Sequence, residues 1–462
     1  MKNLKQVCIA LFINMSVLTL VHAADLLDIY MQALENDPEF KGEYSIFMSE
    51  TQNIPIARSQ LLPQLKINAF TADSSQNVNA GRFLVIREGY RTNFINLSAS
   101  QMIFNFKAWA EVQTAKASVK AANARFNDRA QDLIIRTAMS YLDVLYAYDS
   151  LRFSEAKKRA NKRQLDQATQ RFNVGLDAIT SVYDAQAAYD QSIADVIEAK
   201  NDVINQSEEL RKITNHTYGK LSPLRNHEIP LLRPEPDDIN EWVSTALRQN
   251  YKLAAAKYRL EATREKIKAQ AAGNWPVFDV RVEDFITKNA SHGEDSANFF
   301  VPRSQKITSA KINLTYAPIQ GGLVLAQTKQ AQFDYQFASQ DMEKIYRGTV
   351  TDTRIKFVTI NNGISKVEAD RKTLFTQTES VKSTEAGFFV GTRNMVDVVN
   401  AQQNLFLAQQ QLAQDQYGLI KTILQLKYLA GTLSVNDLEE INSWLVTERI
   451  NSRPPRLSEE TH

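Results

Sequence analysis

The sequence has a single cysteine, Cys8, in 462 residues, and it lies close to the start. Without further cysteines there is no disulfide framework, no thiol nucleophile and no cysteine metal site. Glycine (15) and proline (12) are scarce. So few chain-breaking residues do not fit several compact domains joined by many tight turns. Neither sign of charge dominates, with 54 basic and 52 acidic residues, which argues against nucleic acid as a partner. The five histidines, His22, His216, His227, His292 and His462, are scattered without metal-ligand spacing. After the opening segment, no apolar run reaches the roughly twenty residues of a membrane helix.

The opening segment has its own character. Lys2 and Lys5 precede the largely apolar stretch Val7 to Leu20, and Val21-His22-Ala23 ends in a small residue. Residues 1–23 read as a secretory signal peptide cleaved before Ala24, too short for a membrane anchor. Cleavage removes Cys8, so no lipid-carrying cysteine starts the mature chain. An exported chain without a membrane helix is either soluble or enters a membrane as a β-barrel.

What the chain does have, it has twice. Phe172-Asn173-Val174-Gly175-Leu176 is followed by Val182-Tyr183-Asp184-Ala185-Gln186. Phe388-Phe389-Val390-Gly391-Thr392 is followed by Val398-Val399-Asn400-Ala401-Gln402, in the same spacing. In both, a Val-Gly interrupts a very long helical pattern and a second helix begins at once. Each copy reads as the tip of a helical hairpin, with glycine supplying the conformation that ends a helix. Ala33-Leu34 matches Ala246-Leu247 and Pro63 matches Pro276. The expected organisation is therefore two structural repeats, 24–230 and 231–432, with tips near 173–177 and 389–393, followed by a C-terminal segment and disordered tail, 433–462. The four prolines between Ser222 and Pro236 mark a non-helical join.

Each repeat has the same internal order. Helices are expected over 25–60 and 237–272, closed by Pro63 and Pro276. Two strands follow, seen in Leu65-Lys66-Ile67-Asn68-Ala69 and Ile95-Asn96-Leu97-Ser98-Ala99, where apolar and polar residues alternate. Phe278 to Glu283 and Ala310 to Tyr316 give the second pair. At about ten residues each, these runs suit tilted bilayer-crossing strands. The connecting stretches, 74–91 and 287–307, read as long polar mobile loops. Helical patterns over 107–172 and 323–388 then lead to the tips, and return helices cover 178–214 and 394–430. Each long pattern extends on the order of 100 Å if continuous. Val112, Ala115, Val119, Ala122 and Phe126 recur at three- and four-residue steps, as do Val398, Ala401, Leu405, Ala408 and Leu412. That is a coiled-coil seam, thin enough to require neighbouring helices.

Four amphipathic strands cannot close a membrane barrel, and an open sheet leaves edge groups unpaired in lipid at several kcal/mol each. Strands that enter a membrane therefore imply an oligomer. A soluble periplasmic coiled-coil spacer is the rival reading, and the strand length and pairing argue against it.

At this point the chain resembles the TolC family of outer-membrane efflux and type I secretion channels. The residues that carry the resemblance are Leu61-Leu62-Pro63-Gln64-Leu65, Gln170-Arg171-Phe172-Asn173-Val174-Gly175-Leu176, Ala178-Ile179-Thr180, Pro318-Ile319-Gln320-Gly321-Gly322 and Val390-Gly391-Thr392-Arg393-Asn394-Met395-Val396-Asp397-Val398. The resemblance implies a mixed α and β membrane protein of the Gram-negative outer membrane, extending into the periplasm. Each protomer of a homotrimer would add four strands to a twelve-stranded transmembrane β-barrel and coiled-coil hairpins to a long α-helical barrel. It further implies a periplasmic adaptor (membrane fusion) protein and an inner-membrane RND, ABC or MFS pump as partners, and outer-membrane lipid around the barrel. The residues themselves show no Gly-rich phosphate loop after a strand and no nucleophile elbow, so neither a cofactor nor enzymatic activity is expected.

The same resemblance implies a gate at the periplasmic tips. The family's pair of acidic ring positions falls on Asp397 and Asn400, so one ring keeps its carboxylates and the next carries amides. The family's holding bonds fall on Arg393 and Thr180, while Ser181 and Phe388 stand where an aspartate and a tyrosine are usual. Phenylalanine has no hydroxyl to donate. By repeat position, Asp177 is a substitute partner for Arg393. Val174, Gly175, Leu176, Val390, Gly391 and Thr392 would meet the adaptor. Other features carry less. Gly387-x-x-x-Gly391 lacks the apolar span of a membrane-helix dimer motif, and the basic run Lys157-Lys158-Arg159 reads as a solvated helix face.

Overall fold

In a computed structural model the described residues are 23–79, 85–225, 229–292 and 303–446. The expected signal peptide, the centres of both polar loops and the tail beyond 446 lie outside them. The elements are α1 (Leu26–Asn36), α2 (Pro38–Thr51), α3 (Asn53–Ser59), β1 (Gln64–Asn79), β2 (Val85–Phe104), α4 (Phe106–Asn173) and α5 (Ile179–Thr214). They continue with α6 (Ile239–Gln249), α7 (Tyr251–Ala271), β3 (Val277–His292), β4 (Ser304–Thr315), α8 (Leu323–Phe389), α9 (Met395–Ala430) and α10 (Val435–Ser443).

The long helices stop within a residue or so of their expected ends. The short ones are more broken than expected. Helix α1 opens on a capping box, in which Asp28 N–H donates to the Asp25 carboxylate at 2.9 Å. It stops at Asp37, before Pro38 at the start of α2. A proline suits a first turn, where its missing N–H has no partner to lose. Asn250 likewise divides α6 from α7, its side chain accepting from Leu253 N–H at 2.8 Å.

The chain forms two compact units, each taking pieces from both halves of the sequence. One comprises Gly42–Asp128 and Asn250–Thr349. It holds a single antiparallel sheet in the order β1-β2-β3-β4. The register places Leu65, Ile67, Ile95, Leu97, Val280 and Ile312 on one face and Lys66, Asn68, Asn96, Arg281, Glu283 and Lys311 on the other. Among the described residues nothing covers the apolar face, and Ile312 is 80% exposed. On the polar face Lys311 pairs with Glu283 at 2.6 Å and Asn313 donates to Asp279 at 3.0 Å.

The strands run to 16, 20, 16 and 12 residues, longer than the roughly ten expected. Much of what reads as polar loop is paired strand. Ser74 faces Tyr90 and Lys288 faces Ser304 in regular register. The polar residues here have partners across the strands: Arg91 is bidentate with Asp73 at 2.8 and 3.0 Å, and Thr92 donates to Asn289 at 2.8 Å. Backbone pairing and such cross-strand contacts hold a strand without an apolar face.

The other unit comprises Met1–Lys41, Arg129–Gln249 and Val350–His462. Its core contains Leu26, Ile29, Leu133, Tyr141, Leu142, Leu210, Ile360, Ile420 and Leu424, all essentially buried. The Tyr141 hydroxyl donates to the Ser222 carbonyl at 2.7 Å, and Tyr417 donates to Asp149 at 2.8 Å. Burial pushes both phenols up from their ordinary pKa, so both stay protonated donors. The proline-containing join has no α-helix among its described residues. It lies against both ends of the described chain, Ala24 bridging Leu221 and Leu445 bridging Leu224. Helix α10 is fastened by Lys427 to Asp437 at 2.6 Å, and Asn442 donates to Asp25 at 2.9 Å.

Candidate functional site

The two tips are built alike. At the first, Gly175 has φ +78°, its N–H donates to Phe172 O at 2.9 Å, and Leu176 N–H donates to Arg171 O at 2.8 Å. At the second, Gly391 has φ +79°, its N–H donates to Phe388 O at 3.1 Å, and Thr392 N–H donates to Gly387 O at 2.9 Å. These are paired Schellman caps: a left-handed residue lets two further N–H groups reach carbonyls the helix leaves open. The caps leave Val174, Leu176 and Val390 facing outward, with Val390 76% exposed.

The helices that leave the tips start differently. Asn394 and Asp397 form a capping box on α9: Asp397 N–H donates to Asn394 Oδ1 at 2.8 Å, and Asn394 N–H donates to Asp397 Oδ2 at 3.1 Å. Helix α5 has Ala178 at its N-cap and no side-chain cap. The Asp397 carboxylate is thus tied to its own helix start, where the helix dipole favours a negative charge. The pattern Asn394-x-x-Asp397 is the local signal for this role.

Behind the caps the hairpins share a small apolar cluster. Phe388 is 4% exposed and packs with Leu165 and Ala168 of α4, Ala185 of α5, and Met395 and Val398 of α9. Next to it lies a polar seam. One oxygen of Glu385 on α8 accepts from Gln402 of α9 at 2.9 Å and from Gln164 of α4 at 3.4 Å. Asn161 of α4 donates to the Ala188 carbonyl of α5 at 2.9 Å. Further from the tip, Lys157 of α4 pairs with Asp195 of α5 at 2.8 Å. Burial raises the Asp195 carboxyl, but Lys157 and Gln191 outweigh it and leave its pKa below the ordinary value. The basic run is thereby partly absorbed, since Lys157 links the hairpin; nearby, Lys162 pairs with Asp166 one turn on at 2.8 Å.

The expected site residues are not all brought together. Asn400, Arg393 and Thr180 are exposed, and Ser181 is half-buried. Among the described residues no hydrogen bond or ion pair joins Arg393 to Thr180, Ser181 or Asp177. Asp177 instead pairs with Arg171, whose Nε donates to its carboxylate at 2.8 Å. The Arg171 guanidinium also stands 5.0 Å from the centroid of the Phe388 ring. Gly387 gives Arg393 room, since a Cβ there would lie 2.8 Å from Arg393 Cγ. Arg171, Gln164, Glu385 and Gln402 were not legible as site residues, because single polar residues on a long polar helix carry no mark of their partners. Among the described residues no cluster could hold a metal ion.

Matched hairpin tips, together with four amphipathic strands whose outer edges find no partner in the described chain, define an outer-membrane duct protein. The profile of the outer membrane efflux protein family matches residues 29–216 and 242–432, once in each half. The chain belongs to this family. It is 33% identical to outer membrane protein TolC of Vibrio cholerae serotype O1 over 94% of this chain and 98% of that one. It is 26% identical to the proteases secretion protein PrtF of Dickeya chrysanthemi over 91% of both. The fold matches the Campylobacter jejuni CmeC outer membrane channel with a TM-score of 0.75 at 15% identity, covering 91% of this chain and 90% of that one. Four strands and long helical hairpins are one protomer's share of a helical barrel and a common β-barrel. The chain is an outer-membrane exit channel for efflux and type I secretion in Gram-negative bacteria. Its relatives are channel proteins, not enzymes.

Proposed function

We propose that the chain acts as a homotrimer forming a passive exit duct, gated at its periplasmic tips and loaded by an inner-membrane pump of the RND, ABC or MFS type through a periplasmic adaptor. The repeats 24–230 and 231–432 each supply one hairpin and two strands. The observation that carries the duct is the sheet: among the described residues β1 and β4 are open edges, and lipid tolerates no unpaired edge. Three copies close it at twelve strands, within the known range of membrane barrels. Drugs and secreted proteins are the cargo classes, and the pump supplies the work.

The gate reading rests on the tips. Asp397 places three carboxylates around the trimer axis and Asn400 three amides. Carboxylate rings attract cations and repel anions. Arg393, Thr180 and Ser181 have side chains open to a neighbouring protomer, and Phe388 packs the closed form. Val174, Gly175, Leu176, Val390, Gly391 and Thr392 offer the adaptor two similar apolar knobs. Planar-bilayer recording tests this. The wild type should show small, long-lived, cation-preferring openings, which grow when Arg393 is replaced and lose cation preference in Asp397→Ala. An inserted trimer whose selectivity ignores Asp397 refutes the ring.

A further inference from the structure

We propose that Arg171 is the latch that holds the two hairpins of one chain together in the closed state, with the Phe388 ring as its catch. The inference rests on the gate reading above and names the link within the protomer.

Three contacts converge on this arginine. Its carbonyl accepts Leu176 N–H in the first cap, so the turn fixes its backbone. Its Nε donates to Asp177 at 2.8 Å, with the two side chains only 24% and 16% exposed. Its guanidinium lies 5.0 Å from the ring centroid of Phe388. The first two groups belong to the same hairpin as Arg171, and only the ring belongs to the other. The hairpin therefore aims the cation, and the ring receives it. A cation near an aromatic face is attracted by the ring quadrupole, more strongly where water is excluded. Phe388 is almost wholly buried, and Asp177 offsets the charge so that no bare cation is left at the tip. A hydrogen bond from position 388 is impossible, because phenylalanine offers a face and no hydroxyl. Arg393 cannot be this latch, since within one chain it contacts Gly387 through its stem and forms no ion pair among the described residues.

The distinctive consequence concerns the ring, not the volume at position 388. Leucine keeps that site apolar and removes the π face, with a small packing loss that R171Q does not share. The full-length protein is recorded in planar bilayers as wild type, R171Q, F388L, F388Y, the double variant R171Q/F388L and R393A, with each checked for a heat-resistant oligomer. R171Q and F388L should each raise mean current at fixed voltage roughly three- to tenfold, as expected for losing one partly desolvated cation–π contact. The double variant should rise no further than the larger single change, because both remove the same link. F388Y should restore the low current lost in F388L. The latch is overturned if F388L conducts like wild type while R393A opens, or if the two effects multiply in the double variant. Should R171Q fail to assemble, F388L against wild type decides alone, because F388Y returns a hydroxyl along with the ring. An inserted oligomer that passes no current in any variant, R393A included, overturns the duct reading itself, a different result from a silent F388L.

Discussion

Replacing Gly391 by alanine isolates the backbone requirement of the tip. Gly391 sits at φ +79°, and a Cβ built there meets no heavy atom within 4 Å. The substitution thus creates no clash, and its whole effect is conformational. An L-residue in the left-handed region costs about 1–2 kcal/mol. The chain must carry that strain or release the two cap bonds, Gly391 N–H to Phe388 O and Thr392 N–H to Gly387 O. Either route weakens the closed turn by about 1 kcal/mol, roughly a fivefold gain in local opening. Hydrogen exchange of the tip amides in the detergent-solubilised oligomer reads this directly. Gly387→Ala is the contrast. Gly387 lies within helix α8, where alanine is favoured by about 1 kcal/mol, yet its Cβ would lie 2.8 Å from Arg393 Cγ. It should keep the cap amides slow and displace Arg393 instead. Unchanged exchange in Gly391→Ala would refute the claim that the tip depends on a left-handed residue.

Other consequences follow from single contacts. Asp370 of α8 shares a site with Asp415 of α9 and Lys366; burial and then the Asp415 carboxylate hold its pKa up, at about 6, while Asp415 lies below the ordinary value. A raised folded pKa means stability is fullest below the ordinary carboxylate range and is lost as pH rises through about 6. Thermal melts should therefore show the oligomer losing stability from about pH 4 to 6, and Asp370→Asn should flatten that slope. Tyr417→Phe removes the buried hydroxyl that donates to Asp149 at 2.8 Å, leaving Arg152 as partner at 3.1 Å. It should cost about 1–3 kcal/mol in denaturant unfolding. Ile67→Lys places a cation on the exposed apolar face of β1 and should destabilise the inserted barrel by about 2–4 kcal/mol. Lys66, its neighbour on the opposite face, should tolerate isoleucine with little change in folding yield.

Much of the fold was legible because it is local. The period of two in Leu65 to Ala69, the three- and four-residue steps along α4 and α9, and the two Val-Gly turns are properties of neighbouring residues. Steric and hydrophobic rules act on them without reference to the rest of the chain. The capping box of Asn394 and Asp397 is equally local, written in the Asn-x-x-Asp spacing at the start of α9. The strand ends were not legible. Arg91 reads as the end of a loop until Asp73 becomes its partner across the strands.

The amino-acid sequence by itself determined the element order, the two tips and the family, because repetition, periodicity and turn chemistry are written in adjacent residues. The tertiary structure alone decided which side chains share the tip. Asp177 and Arg393 hold matching places in the two repeats, but Asp177 turns back to Arg171. The hairpin brings two charges six positions apart into contact around Gly175, and nothing in linear spacing records that geometry. Phe388 reads as a residue that has lost a hydroxyl; in the folded chain it is a buried ring shared by two hairpins, since burial depends on what other segments bring to the same place.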